Sequence, residues 1–175
     1  SARILQAICE SLEWELGIIW QVDQQANVLR FIDAYHVPAV QVAEFVRISR
    51  ERTFLSGIGL PGRVWANGQP AWIPDVVKDT NFPRAPVAAK VGLHGAFGFP
   101  VRIGKNIYGV IEFFSHEIRE PDRDLLDMVA EIGLKVGQFV ERQRTESELQ
   151  QAQALLLQAQ KMEAVGRLAR GVAHD

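Results

Sequence analysis

The chain has 175 residues with 19 basic and 21 acidic side chains, and its formal net charge of −2 gives no electrostatic argument for a nucleic acid partner. Its single cysteine, Cys9, excludes a disulfide framework and a cysteine zinc cluster. No apolar run approaches the roughly 18 residues of a transmembrane helix, so no membrane segment is predicted. Because the chain opens in mid-helix, we expect a cytoplasmic piece of a longer protein, with one compact domain and an extension.

The first half of the chain switches repeatedly between helical and strand periodicity. Four apolar residues near the start share one helical face: Ile4, Leu5, Ile8 and Leu12. Two strands, "LGIIWQVD" and "VLRFIDAYH", follow on either side of the turn "QQAN". A helix is predicted after Pro38, through "AVQVAEFVRISRE". A turn at "SGIGLPG" and a short helix at "RVWA" come next.

The segments up to Ser115 complete the predicted domain. The prolines of "PAWIPDV" predict a short edge strand, and "KDTNFPRAPVAAKVG" reads as a loop that runs into a short helix. The strands "GAFGFPVRI" and "NIYGVIEFFS" are joined by "GKN", whose glycine suits a tight hairpin. Short strands mixed with short helices, without a regular βα repeat, indicate an α+β fold. We expect an antiparallel sheet of five to six strands flanked by helices.

A long helix is predicted from Pro121 to the end of the chain. Pro121 and Asp122 form a good helix start. Apolar residues then recur at 4-3-4-3 spacing, at Leu125, Val129, Ile132, Val136 and Phe139. The pattern resumes one residue out of step at Leu149 and slips again at Met162. Because so small a domain cannot bury the whole seam, we expect a homodimer through a parallel coiled coil; the alternative is a frayed tail.

Several motifs together resemble a known family. "LPGRVW", "QPAWIPDV", "NFPRA" and "GAFGFPV" occur in the order found in GAF domains of bacterial sensor histidine kinases of the hybrid type. The last segment, "KMEAVGRLARGVAHD", is similar to the start of the dimerisation and phosphotransfer domain of such kinases, although Arg170 stands where a small residue is usual. The resemblance implies a GAF sensory domain at 1–120, a coiled-coil signalling helix at 121–160 and a truncated phosphotransfer helix at 161–175.

The resemblance also implies a signalling role. His174 would be the phosphoacceptor and Asp175 the neighbouring acid–base partner. The heptad agrees with this role, since it directs His174 away from the seam, where another domain can reach it. The alternative is a solvated His-Asp pair at a helix end. By the same resemblance the parent kinase would use ATP, and the partners would be its ATP-binding domain and a response regulator receiver domain. The fragment alone is expected to be inactive.

The ligand of the GAF domain does not follow from the sequence. Candidate ligand-binding residues are Trp72, Phe82, Arg84, His94, Phe97, Phe99 and Glu112. Glu112 in an apolar strand needs a partner, so a salt bridge to Arg84 or Arg102 competes with a ligand-orienting role. The position of Cys9 argues against a covalent bilin, and a lone His94 argues against haem. No histidine pair has metal-ligand spacing, and the fragment is expected to carry no cofactor.

The sequence leaves two alternative functions to consider. A non-enzymatic GAF module that only binds a ligand and dimerises would share every feature except the reactive histidine. A free-standing enzyme of GAF-like fold, such as a methionine sulfoxide reductase, would need active-site cysteines, whereas Cys9 lies on the first helix.

Overall fold

The computed structural model describes residues 2–172. The predicted pair His174 and Asp175 lies outside the described residues. Within residues 2–172, five helices and six strands run in the following order: α1 (Ala2–Leu12), β1 (Leu16–Asp23), β2 (Val28–His36), α2 (Ala43–Arg50), β3 (Thr53–Phe54), α3 (Gly59–Asn67), β4 (Ala71–Ile73), α4 (Ala85–Val91), β5 (Gly95–Ile103), β6 (Asn106–Ser115) and α5 (Arg123–Val172).

The strands form one antiparallel sheet in the order β3-β2-β1-β6-β5-β4. The predicted α+β class and the antiparallel sheet are therefore confirmed, with six strands. β4 lies at one edge, as its prolines predicted, and Gly104 takes a φ of 59° in the hairpin between β5 and β6. A left-handed residue is what such a tight turn requires, and glycine adopts it without a Cβ clash.

Two local predictions were wrong, and one strand was missed. The segment "GIGLPG" is not only a turn, because α3 already begins at Gly59. The helix expected directly after Pro38 begins only at Ala43. The two-residue strand β3 was not predicted at all, since so short a segment has no measurable periodicity.

The sheet separates two apolar clusters. Successive side chains of a strand point to opposite faces, so β1, β5 and β6 contribute to both. The helical face, covered by α2, α3 and α4, buries Trp20, Phe45, Phe82 and Phe114 among others. The opposite face is covered by α1 and the first turns of α5, and it contains a separate set of buried side chains: Leu5, Ile8, Cys9, Trp14, Phe97, Phe99, Val101, Ile111, Phe113 and Val129.

The first turns of α5 lie very close to β5. Val129 is fully buried, and Leu125, Ile132 and Val136 pack against the same cluster. A Cβ at Gly133 or Gly137 would collide with a backbone carbonyl oxygen of β5. These two glycines therefore allow the helix backbone to approach the strand directly.

The chain divides into two compact units, residues 1–137 and 138–175. In the second unit the described part, 138–172, is entirely helical. Its large apolar side chains are exposed in the single chain: Phe139, Leu149, Leu155, Leu156, Leu157, Met162, Val165 and Leu168. Between them, ion pairs four residues apart join Arg142 to Glu146 and Glu163 to Arg167. Of the helices in the described part of the chain, none is long and apolar enough to cross a membrane.

Candidate functional site

The helical face of the sheet buries an ion pair at its centre. Arg84 Nη1 and Nη2 donate to Glu112 Oε1 and Oε2 at 2.7 and 2.9 Å, and both side chains are 0% exposed. Trp20 Nε1 donates to Glu112 Oε1 at 2.9 Å, and Arg84 Nη1 also donates to Ser49 Oγ at 3.1 Å. The partner of Glu112 is thus Arg84 and not Arg102, the other partner considered from the sequence.

Aromatic rings surround the guanidinium of Arg84. Five ring centroids lie between 4.9 and 5.5 Å from its Cζ atom, those of Trp20, Phe45, Phe54, Phe82 and Phe114. Such rings attract a cation through their negative faces. Among the described residues, Arg84 Nε is the only buried side-chain polar atom without a hydrogen-bond partner. We refer to Arg84, Glu112, Trp20, Ser49 and these rings as the Arg84 cluster.

Local sequence explains how the ion pair forms. Glu112 lies two residues from Val110 and Phe114 on β6, so strand alternation directs all three side chains to the helical face. Arg84 is the N-cap residue of α4 and follows a loop that contains Pro83. The loop and the helix start therefore bring the guanidinium over the sheet, where it meets the carboxylate.

The candidate residues named from the sequence do not form one site. Phe82 belongs to the Arg84 cluster, whereas Phe97 and Phe99 are buried on the opposite face of the sheet. Trp72 packs with that opposite cluster too, stacks on Phe97 at 5.5 Å and donates its Nε1 hydrogen to the Arg119 carbonyl. Phe82, Arg84 and Glu112 are therefore together, and the other aromatic candidates are separated from them by the sheet.

His94, the remaining candidate, lies beside Asp75. Its Nδ1 is 2.9 Å from Asp75 Oδ1. Burial acts to raise the pKa of Asp75, but hydrogen bonds from the His94 ring and the Val77 amide outweigh it and lower that pKa. This pairing gives His94 a structural partner, and no group of three or more metal-ligating side chains occurs in the part of the chain that the structure describes.

His116 forms a second histidine–carboxylate pair. Its backbone N–H donates to Glu15 Oε2 at 2.5 Å, and its Nδ1 is 3.0 Å from the same oxygen. Its Nε2 lies 3.1 Å from the Val91 carbonyl oxygen. Burial acts to raise the pKa of Glu15, but the hydrogen bonds from His116 outweigh it and lower that pKa. His116 therefore joins the end of β6 to the start of β1 and the end of α4.

The start of α3 does not offer a phosphate site. Asn81 Oδ1 accepts a hydrogen bond from the Gly59 amide at 3.0 Å, and Asn81 Nδ2 donates to the Gly57 carbonyl at 2.9 Å. Arg63 of α3 forms a salt bridge at 3.0 Å with Asp79, which lies in the same loop as Asn81. Because the protein itself satisfies the helix-start amide, the glycines of "GIGLPG" serve the turn and the close packing of α3.

An open groove lies on the opposite face, between α1 and the start of α5. Its volume is about 530 Å³, and Trp14, Trp72, Arg119, Leu125 and Met128 contribute to its lining. Arg119 already occupies the ring face of Trp14, with its Cζ 4.6 Å from the centroid. The groove was not predicted, because the residues that line it are scattered along the sequence and none carries a recognisable motif.

Cys9 has the properties of a core residue. It is buried on α1, and burial together with the nearby charge of Glu10 raises its pKa to about 12. A redox-active cysteine requires a thiolate, which this environment opposes. The thiol therefore contributes packing to the opposite face of the sheet.

Comparison with curated protein sequences gave no match. Among solved structures, the fold is similar to the GAF domain of a phosphoenolpyruvate-protein phosphotransferase from Coxiella burnetii, with a TM-score of 0.67, 13% identity and 83% of both chains covered. It is also similar to free methionine-R-sulfoxide reductase from Neisseria meningitidis in complex with its substrate, with a TM-score of 0.66, 16% identity, and 83% of this chain and 78% of that chain covered.

A third similar structure is a domain of a protein described as a two-component sensor histidine kinase from Sinorhizobium meliloti 1021. Its TM-score is 0.66 at 17% identity, with 85% of this chain and 93% of that chain covered. At such identities the likeness establishes the fold alone. A family model described as the GAF domain matches residues 1–141, which is well over half of the sequence. The chain therefore belongs to the GAF domain family.

Proposed function

We propose that this chain is the sensory and signal-transmitting part of a cytoplasmic two-component sensor histidine kinase. Its GAF domain senses a small ligand or signal, and α5 relays the change to the phosphoacceptor His174. The observation that carries the proposal is the length of α5. One helix extends from turns that pack on the sheet, beginning at Arg123, to Val172, two residues before His174 in the sequence.

A dimeric coiled coil is part of this proposal. Leu149, Leu156, Met162 and Val165 occupy seam positions of the predicted heptads, and all four are exposed in the single chain. A second copy would bury these side chains, and each buried large apolar side chain contributes about 1.5–3 kcal/mol. The ion pair of Glu163 and Arg167, four residues apart, would remain on the solvent side of the helix. In functional terms we divide the chain into a sensory domain at 1–120, a signalling helix at 121–160 and the phosphotransfer segment at 161–175.

The proposed chemistry at His174 is phosphoryl transfer from ATP held by the ATP-binding domain of the parent kinase. A neutral imidazole nitrogen attacks the γ-phosphorus, a phosphorus–nitrogen bond forms, and the bond to the ADP oxygen breaks. Asp175 holds the other ring N–H and raises the nucleophilicity of the imidazole. The phosphoryl group then passes to a response regulator receiver domain.

A labelling experiment tests the proposal. The chain is mixed with an isolated histidine kinase ATP-binding domain and radiolabelled ATP, and phosphohistidine is measured by its acid lability. We expect label on the native chain, none on His174→Gln, and full label on the control His36→Gln, which replaces an exposed histidine. Equal labelling of His174→Gln would refute the assignment.

The second candidate function is a non-enzymatic GAF module that binds a ligand and dimerises. The same α5 supports it, because exposed apolar side chains on a helix favour dimerisation whatever lies at the end of the chain. The labelling experiment distinguishes the two candidate functions, because only the kinase fragment accepts a phosphoryl group. A chain that forms a stable dimer by light scattering but accepts no phosphate would favour the second.

A further inference from the structure

The Arg84–Glu112 ion pair has features that stability alone does not require. Removing two charges from water is costly, and well-packed apolar residues of similar size stabilise a core as well or better. Both side chains here are 0% exposed. In addition, the Nε–H of Arg84 is buried without an acceptor, and an unsatisfied buried donor is itself destabilising. The cluster therefore retains a nitrogen atom, Nε, that donates no hydrogen bond, on a side chain that already bears a charge.

The geometry of the guanidinium defines the direction from which an additional acceptor would meet Nε. Glu112 occupies the Nη1–Nη2 edge with two hydrogen bonds. The edge that carries Nε is the other position at which a guanidinium can hold a carboxylate in a fork. A ligand carboxylate at that edge would satisfy Nε without displacing Glu112.

Charge balance then limits the class of ligand. A simple carboxylate would leave two buried anions facing one cation, and a simple amine would leave a net positive charge in the same core. A molecule that carries one carboxylate and one ammonium adds no net charge. Its ammonium can contact Glu112, which keeps its hydrogen bond from Trp20, and the surrounding rings favour a cation.

We propose that the Arg84 cluster binds a small zwitterion of the α-amino-acid class, with the ligand carboxylate on the Nε edge of Arg84 and the ligand ammonium beside Glu112. This inference rests on the proposed sensing role of the domain and names the ligand class of that site. Arg84 and Glu112 are both buried, so the ligand would be enclosed with them in the core. Arg84 is the N-cap of the seven-residue helix α4, so a ligand held by its guanidinium would act directly on the start of that helix.

A matched ligand panel tests the proposal on the whole chain. L-amino acids of increasing side-chain size are compared with the carboxylate that lacks the amino group and the amine that lacks the carboxylate, such as alanine with propionate and ethylamine. Thermal unfolding and calorimetry report binding. We expect at least one amino acid to raise Tm by about 5 °C or more at a hundredfold excess over Kd, while neither partial analogue does. A panel without any amino-acid response, or an equal response to the carboxylate alone, would overturn the proposal.

Two further measurements locate the ligand. In the native chain, the ¹⁵N–¹H signal of Arg84 Nε should shift on addition of the amino acid, while that of Arg63 Nε, which donates to the Gly59 carbonyl, should not. The variant Arg84→Lys keeps the charge but lacks the second edge, and we expect at least a tenfold loss of affinity; Arg63→Lys is the matched control. An amino acid that shifts Tm but leaves the Arg84 signal unchanged binds elsewhere and contradicts the assignment.

The result of these binding measurements does not depend on whether His174 accepts a phosphoryl group. Amino-acid binding without phosphorylation would keep this inference and refute the kinase assignment, whereas phosphorylation without amino-acid binding would do the reverse.

Discussion

Gly137 of α5 lies directly against the backbone carbonyl oxygen of Arg102 on β5. The guanidinium of the same arginine extends to the helical face, where Nη2 donates to the Gly68 carbonyl just after α3. Arg102 thus contacts the C-cap of α3 with its side chain and α5 with its backbone. We therefore expect a displacement of the end of α3 to shift α5 near Gly137, because Arg102 contacts both.

Substituting Gly137 should therefore destabilise the first unit. A Cβ at this position would collide with the Arg102 oxygen, and overpacking of this kind costs about 1–3 kcal/mol. The intrinsic helix propensity of alanine, about 1 kcal/mol better than that of glycine, opposes this effect but does not exceed it. We expect Gly137→Ala to lower the urea midpoint of the sheet domain, measured by tryptophan fluorescence.

Gly166→Ala is the matched control for that experiment. A Cβ at Gly166 would meet only the end of the Arg170 side chain, at 4.0 Å. The alanine should therefore increase helix stability by about 1 kcal/mol. Equal effects of the two substitutions would disprove the close-contact explanation.

Breaking the buried ion pair should cost far more than breaking an exposed one. Glu112→Gln leaves the Arg84 charge buried without its partner, and we expect a loss of about 3–5 kcal/mol in the free energy of unfolding. The exposed pair of Arg47 and Glu51 provides the control, since Glu51→Gln should change stability by less than about 0.5 kcal/mol. Urea denaturation followed by circular dichroism measures both.

The corresponding double variant separates function from stability. Arg84→Met with Glu112→Leu replaces the pair by apolar side chains of similar size, and the chain should recover most of the lost stability. It should also lose any response to amino acids. A double variant as unstable as Glu112→Gln would mean that the ion pair itself holds the core together.

Acid should weaken the link between Glu15 and His116. The pKa of Glu15 is lowered in the folded chain, where burial opposes the shift and hydrogen bonds from His116 prevail. A lowered carboxyl pKa contributes stability above the unfolded-state pKa, and that contribution is lost as the pH falls through the folded-state pKa. Between about pH 6 and pH 3, Glu15→Gln should therefore lose less stability than the native chain. If stability falls with pH in parallel for the native chain and Glu15→Gln, this pair contributes nothing to the pH dependence of stability. The variant Glu44→Gln makes the same change in net charge and serves as the control.

A proline in the second unit should weaken dimerisation and leave the fold of the sheet domain unchanged. Ala152 lies inside α5, where proline removes a hydrogen bond and costs about 3 kcal/mol or more. We expect Ala152→Pro to weaken the dimer in light scattering while the near-ultraviolet spectrum of the tryptophans is retained. Ala152→Ser, which a helix tolerates, is the control. An unchanged dimer would argue against the coiled coil.

The strands were predictable because their periodicity and turns are local properties. β5 and β6 begin and end at the residues expected from "GAFGFPVRI" and "NIYGVIEFFS". The faces of β5 were not predictable in the same way. Every residue from Gly95 to Val101 is buried, so no polar–apolar alternation distinguishes Phe97 and Phe99 from residues that face the helices. This is why aromatic residues on opposite sides of the sheet were expected in one site.

The ion pair was only partly predictable. An acidic residue inside "VIEFFS" indicates a buried charge that needs a partner, and the sequence reduced the choice to two arginines. The decision depends on tertiary structure, since Arg84 and Glu112 are brought together by a loop and a helix start. Ser49 and Trp20 could not be assigned to the cluster from their local sequence, because their roles depend on the packing of α2 and β1 against the same sheet face.

The burial of Cys9 makes the native chain a suitable background for site-specific labelling. It is the only cysteine, and with a pKa of about 12 it remains a thiol that maleimide and methanethiosulfonate reagents attack slowly. A cysteine introduced at an exposed position of α5, such as Leu155, would therefore react selectively without prior removal of Cys9. Distances between such labels in two copies of the chain could then be followed as amino acids are added.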